Sequence, residues 1–343
     1  MEKTDSELVN GECPLHSGKK IEERDEENYF FRFSKYQQPL LELYANNSEF
    51  VKPKFRQIEI QKFVENGLRD FSISRLKEKM PWGVPIPNDD KQVMFVWFDA
   101  LVNYVSAIGW PAELEKFEKW WPVFQVAGKD NLRQQVAMWQ AMLMSAGLPP
   151  SQQIHIFGFI NSGGQKMSKS LGNVINPSEI IAEYGTDALR YLVARHINMY
   201  EDSDITLEKI KEIYNANLAN GLGNLVSRIM KMAVDYKVDF LPDDFDWKDY
   251  PEFLKLLDEF RINETLDLIW QKIKILDGQI QEEQPFKVAK TDLSQARTLL
   301  QNYLAELWAI ANLLTPFLPA TAQKIQILVK ENKIPSEPLF MRK

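Results

Sequence analysis

Three nearly uninterrupted apolar runs punctuate the first half of the chain, at residues 93–98, 123–127 and 154–160. Runs of this kind suit strands covered on both faces, as in parallel sheets. Between them, residues 101–108 and 131–146 repeat apolar positions every three or four residues, which predicts helices. The second of these is closed by Gly147 and the pair Pro149-Pro150. Strand, helix, strand, helix, strand is the order of a parallel sheet with crossover helices. Three strands are few for a free-standing doubly wound domain, so the pattern predicts half of one.

Helical periodicity flanks this region. Tyr29, Phe30, Phe33, Tyr36, Leu40, Leu41 and Tyr44 predict a helix over 28–45, and a second over 54–66 stops at Gly67. Beyond about residue 200 the chain reads as helix throughout. Leu207, Ile210, Tyr214, Leu218, Leu222, Leu225 and Ile229 form one stripe. Leu266, Ile269, Ile273, Leu276 and Ile280 form another. Leu300, Tyr303, Leu304, Leu307, Ala311 and Leu314 form a third, stopped by Pro316 and followed by a helix over 320–330. Such stripes predict a helix bundle and carry no chemistry of their own.

Charge narrows the choice of partners. The net charge of -7 disfavours a general nucleic-acid binder. RNA contact then requires local basic patches such as Lys209, Lys211, Arg228 and Lys231, which fit a solvated helix face equally well. No apolar stretch reaches the roughly 18 residues of a membrane span, and the polar start lacks the apolar core of a signal peptide, so a cytoplasmic location is expected. Cys13 is the single cysteine and stands in a Cys-x-x-His step with His16. With only His155 and His196 besides, a closed four-ligand site is out of reach, and no bound zinc is expected.

The chemistry-bearing segment follows the third run. Asn161-Ser162-Gly163-Gly164-Gln165-Lys166-Met167-Ser168-Lys169-Ser170-Leu171-Gly172-Asn173 joins two flexible glycines to two lysines three residues apart, with hydroxyls beside them. At the carboxyl end of a parallel strand this set suits a polyphosphate, because phosphoryl and nucleotidyl transfer needs charge neutralisation above all. Composition alone also permits a solvated turn.

The string Lys-Met-Ser-Lys-Ser before Leu-Gly-Asn resembles the signature of class I aminoacyl-tRNA synthetases, and most of the chain resembles methionyl-tRNA synthetase. The resemblance is carried by Glu27-Asn28-Tyr29-Phe30-Phe31-Arg32, Asp70-Phe71-Ser72-Ile73-Ser74-Arg75, Val96-Trp97-Phe98-Asp99-Ala100-Leu101 with Tyr104, Gly128-Lys129-Asp130, and Asn220-Gly221-Leu222-Gly223-Asn224-Leu225 with Arg228. It implies an incomplete Rossmann-like parallel sheet followed by a helical anticodon-binding bundle. The implied domains are a connective or zinc-knuckle remnant at 1–50, the second half of the catalytic domain at 51–200, and the anticodon-binding helices at 201–343.

The same resemblance implies roles for single residues. Lys166 and Lys169 are the implied catalytic cations, and Arg75, Gly128, Asp130, Met167, Ser168 and Ser170 join them at ATP. Trp97, Leu101, Tyr104, Asn131 and Gln135 line the implied methionine pocket, where a thioether favours polarisable walls. Asn224, Arg228 and Phe286 are the implied anticodon contacts, Phe286 by stacking on a base. ATP with Mg2+ enters as substrate beside methionine and methionine tRNA, and no membrane is involved.

The departures are as informative. The family's His-Ile-Gly-His element is not found in the chain, so a separate chain carrying that half is a candidate partner. Asn131 stands where the family has an apolar residue, Gln135 where it has a pocket histidine, and Phe157 where a His-Gly step is usual. Phe286 replaces a tryptophan. Three readings follow: part of a methionine–tRNA ligase, a non-catalytic module that binds the tRNA anticodon, or a fragment without independent life.

Overall fold

The computed structural model of the chain describes residues 27–168 and 171–343. These fall into two compact units, the first ending at His155 and the second running from Ile156 to Lys343.

In the first unit a parallel sheet is present, with a membership the apolar runs did not predict. Its order is Val51–Lys52, Gln153–Phe157, Phe124–Gly128, and the first two strands run parallel, with Val51 opposite Ile154 and Lys52 opposite His155. The predicted strand over 93–98 belongs elsewhere. Asp89–Met94 pairs antiparallel with Ser74–Leu76 and Pro85–Ile86, and Val96–Ala100 is already a helix. Hydrogen bonds from the Met94 amide to the Val84 carbonyl (2.7 Å) and from the Phe95 amide to the Ile73 carbonyl (2.8 Å) end the strand there.

The predicted helix over 28–45 is likewise divided. Phe30–Phe31 pairs antiparallel with Phe71–Ser72, a 3-10 turn covers Phe33–Tyr36, and the helix proper is Gln37–Asn46. Lys54–Glu65 forms as expected and ends before Gly67, whose φ of 96° suits glycine alone. Leu40, Ile60, Val64, Val136 and Ile154 are fully buried around the sheet. The Tyr44 hydroxyl, inside that core, donates to the Val136 carbonyl at 2.9 Å.

The second unit is helical from Pro177 onward, apart from the short strand Ser203–Asp204. Its core unites the three predicted stripes, with Leu218, Leu222, Ile229, Leu266, Ile269, Ile280, Leu300, Leu307 and Leu314 all at 0% exposure. Leu207, assigned to the first stripe, is instead exposed. Helices Leu207–Ile213 and Asn224–Asp235 are joined by a ten-residue π-helical stretch, Tyr214–Gly223. Helices Ile262–Glu283, Leu293–Leu314 and Pro319–Glu331 complete the core. Each buried leucine or isoleucine contributes about 1.5–3 kcal/mol relative to exposure, so apolar burial holds the bundle together. Among the described residues no helix is long and apolar enough to cross a membrane.

Candidate functional site

The lysine-bearing segment begins as a hairpin. Ile160–Ser162 pairs antiparallel with Gln165–Lys166, Ser162 opposite Gln165 and Asn161 opposite Lys166, and pairs parallel with Ser203–Asp204. Gly163 (φ 64°) and Gly164 (φ 73°) make the two-residue turn, a conformation that two consecutive glycines adopt without strain. The Gly164 amide donates to Asp204 Oδ1 at 2.8 Å, tying the turn to the neighbouring strand. Lys166 Nζ lies 3.9 Å from the centre of the Phe159 ring. Met167 packs partly buried against the helical core. The Ser168 amide donates to Asn173 Oδ1 at 2.9 Å. Lys169 and Ser170 lie outside the described residues.

In the first unit the residues assigned to the amino-acid pocket come from two helical stretches. Trp97, Leu101 and Tyr104 follow one another at helical spacing, with Leu101 buried and the two aromatics 39% and 36% exposed. The 131–146 segment is a 3-10 turn at Lys129–Asn131, a π-helical turn at Gln134–Met138 and an α-helix at Trp139–Ser145. The π turn presents the buried Gln135, whose Nε2 donates to the Tyr104 hydroxyl at 3.1 Å. Gln135 Oε1 is buried without a hydrogen-bond partner. One turn on, the Trp139 ring centre lies 5.9 Å from that of Tyr104. Trp139 was missed from sequence, although its i+4 spacing from Gln135 was there to be used. It also lines an apolar cavity of about 260 Å³ with Phe98, Val102, Val105 and Met142. Asn131 turns aside, its Nδ2 reaching Asp130 Oδ1 at 3.4 Å.

Two further expected positions have clear local reasons. A side chain at Gly128 would place its Cβ 2.9 Å from Asp130 Oδ1, so the Asp130 carboxylate would have to shift to admit one. Arg75 lies with its guanidinium 3.8 Å from the Phe95 ring centre, and it donates to Ser72 Oγ and to the Ser74 carbonyl, both at 2.7 Å.

In the bundle, Asn224 and Arg228 are one turn apart, as expected, but their surroundings differ. Asn224 is exposed and lines a cavity of about 350 Å³ with Asn220, Ser227 and Phe340. Arg228 is tied to Asp277 at 2.7 Å. Phe286 is 44% exposed on the short helix Pro285–Val288. The basic patch is largely neutralised, because Lys209 pairs with Glu212 and Lys231 with Asp235, both at 3.1 Å. Among the described residues no group of three histidine, cysteine, aspartate or glutamate side chains could hold a metal. Cys13 and His16 lie outside them.

Against this geometry, the family model for tRNA synthetases class I (M) matches residues 2–230. The chain belongs to this methionyl branch of the class I tRNA synthetases. It is 46% identical to the methionine–tRNA ligase of Thermosynechococcus vestitus over 247 residues, covering 70% of this chain and 46% of that protein. It is 36% identical to the methionine–tRNA ligase of a Nostoc species over 343 aligned positions, covering 94% of this chain and 64% of that protein. The chain therefore spans about half to two-thirds of the length of these relatives. The solved Mycobacterium tuberculosis methionyl-tRNA synthetase in complex with methionyl-adenylate superimposes with a TM-score of 0.85 at 30% identity, over 99% of this chain and 74% of that one. Among the residues assigned to the amino-acid pocket, Gln135 has the clearest physical consequence. Half of its amide is satisfied by Tyr104 and half is not, and a buried unpaired polar group costs about 1–3 kcal/mol.

Proposed function

We propose that this chain takes part in methionine–tRNA ligation: activation of methionine with ATP, then transfer to methionine tRNA. Lys166 and Ser168, with Lys169 and Ser170, meet the triphosphate, and Mg2+ arrives with the nucleotide. Arg75, Gly128 and Asp130 serve the rest of ATP. Trp97, Leu101, Tyr104, Asn131 and Gln135 serve the amino acid. The observation that carries this reading is the hairpin that ends in Lys166-Met167-Ser168, in a chain of this family. A lysine on a short hairpin can meet phosphate oxygens and neutralise charge that builds up on departing pyrophosphate.

The activity also requires a segment carrying the family's His-Ile-Gly-His element, in the same polypeptide or as a separate chain. Support comes from the strand Phe124–Gly128, at the edge of its sheet among the described residues. Its Phe124 and Val126 are 47% and 57% exposed, whereas parallel sheets normally bury both faces. The test is methionine-dependent ATP–pyrophosphate exchange. The 343-residue chain alone is expected to give none, and the chain mixed with the amino-terminal half of a relative is expected to give exchange. Exchange by the mixture with another amino acid in preference to methionine would overturn the substrate assignment.

A second reading has its own support in the bundle. The cavity beside Asn224, lined by amides, a hydroxyl and the Phe340 ring, suits a splayed base read at its edges. In that case the chain binds a methionine tRNA without catalysis. Equal affinity for methionine tRNA and for the same tRNA with a scrambled anticodon would count against it.

A further inference from the structure

The two arms of the lysine hairpin are closed by a single side chain. Asn173 follows Lys166 by seven residues, and its Nδ2 faces the Lys166 carbonyl at 3.3 Å and the Ser162 carbonyl at 3.4 Å. On the other side of the same amide, Oδ1 accepts the Ser168 N–H at 2.9 Å. One planar group thus spans the outgoing strand, the return strand and the second residue beyond it. Asparagine suits this task because its side chain offers a donor end and an acceptor end at once. The hairpin needs such a tie. Its strands are three and two residues long, its turn is Gly163-Gly164, and isolated two-stranded hairpins are marginal in water. Ile160–Ser162 is anchored by Ser203–Asp204 on its far side, while Gln165–Lys166 forms the outer edge of the sheet.

We propose that Asn173 is a positioning residue for Lys166 and Ser168, fixing the backbone from which their side chains reach the phosphates of a bound nucleotide. The inference rests on the reading of this segment as the triphosphate site. Asn173 touches no reacting atom. It acts by holding the Lys166 carbonyl and the Ser168 amide in one frame, so that the positions of the lysine stem and the serine are set before the nucleotide arrives.

Equilibrium binding of MgATP and of AMP to the 343-residue chain tests this, with thermal melting as a control. Wild type is expected to bind MgATP more tightly than AMP. Asn173→Ala should lose about tenfold in MgATP affinity, the equivalent of one or two net hydrogen bonds, with AMP affinity and melting temperature unchanged. A general loss of structure would weaken both nucleotides alike. Wild-type affinity for both in Asn173→Ala overturns the proposal. A wild-type chain that does not distinguish MgATP from AMP overturns the triphosphate reading and the proposal with it. Should Asn173→Ala melt early, Asn173→Gln decides, since it keeps both ends of the amide on a longer stem. A reduced preference for MgATP supports the positioning role, and a full preference overturns it.

Discussion

Lys166 Nζ and the ring of Phe159, 3.9 Å apart, form a cation–π contact between the hairpin's return strand and the residue that leads into the hairpin. The ring draws the ammonium toward one position, and full contact with a phosphate gives up part of that attraction. The contact is therefore a competing state that a nucleotide has to displace. Such contacts contribute about 0.5–1 kcal/mol at exposed sites, so Phe159→Leu is expected to tighten MgATP binding about two- to five-fold. Phe159→Tyr keeps the ring and should match wild type. The sign is the diagnostic part, because loss of a merely structural aromatic would weaken binding. Titration calorimetry on the chain reads it directly, and weaker binding in Phe159→Leu would end the idea.

The approach to the same hairpin constrains Gly158. A Cβ at this position would lie 2.2 Å from the Glu201 carbonyl oxygen and 2.8 Å from the Asp202 nitrogen. Both obstacles are backbone, so no side-chain rotation relieves them. The Gly158 amide also donates to the Met199 carbonyl at 3.0 Å, which holds the two segments together. Gly158→Ala is expected to cost about 1–3 kcal/mol, in line with overpacking elsewhere. Urea unfolding of the variant measures this, and an unchanged midpoint would show that the segments separate freely.

Much of this arrangement was legible from residue spacing, and what was not has physical causes. The bundle stripes were readable because each face buries many residues at one period, as Leu266, Ile269, Ile273, Leu276 and Ile280 do. The run over 93–98 was misread because an uninterrupted apolar run does not distinguish strand from helix. Its division at Met94 is set by partners at Val84 and Ile73, far from it in sequence. Val51–Lys52 was invisible, since two residues before a proline show no period. Tyr104 and Gln135 were named from the family resemblance, yet their mutual hydrogen bond depends on a π-helical turn that a 3.6-residue pattern does not reveal. The Asn173 clasp and the Phe159 contact are tertiary, with no spacing rule behind them.

The Tyr104–Gln135 pair leads to a stability prediction. Gln135 is 5% exposed, and its Nε2 donates to the Tyr104 hydroxyl, 3.1 Å away. Its Oε1 already lacks a partner. Tyr104→Phe would strand the whole amide in the interior, at a cost of about 1–3 kcal/mol. Adding Gln135→Leu to that variant removes the stranded amide and should restore most of the loss. A double-mutant cycle by chemical denaturation checks the coupling. Strict additivity of the two substitutions would mean that the hydrogen bond contributes nothing.

His155 gives the chain a pH dependence whose sign follows from its place in the parallel sheet. The residue is 1% exposed, opposite Lys52 in the register and 6.4 Å from Phe124 between ring centres. Burial, reinforced by the Lys52 charge, lowers its pKa from 6.5 to about 4. The unfolded chain takes up a proton as pH falls through 6.5, while the folded chain stays neutral at this site until about 4. Stability linked to His155 is therefore complete above the unfolded value, falls across the window between the two, and changes no further below the folded value. The full loss is on the order of 3 kcal/mol, from about 1.4 kcal/mol per pKa unit. His155→Gln has no proton to accept, so its stability should decline less steeply than that of wild type between pH 6.5 and pH 4. Carboxylates that titrate in the same range are common to both proteins and cancel in the difference. Denaturation midpoints at several pH values across the window decide the matter, and parallel curves for the two proteins would show that the buried imidazole is not what links folding to protons.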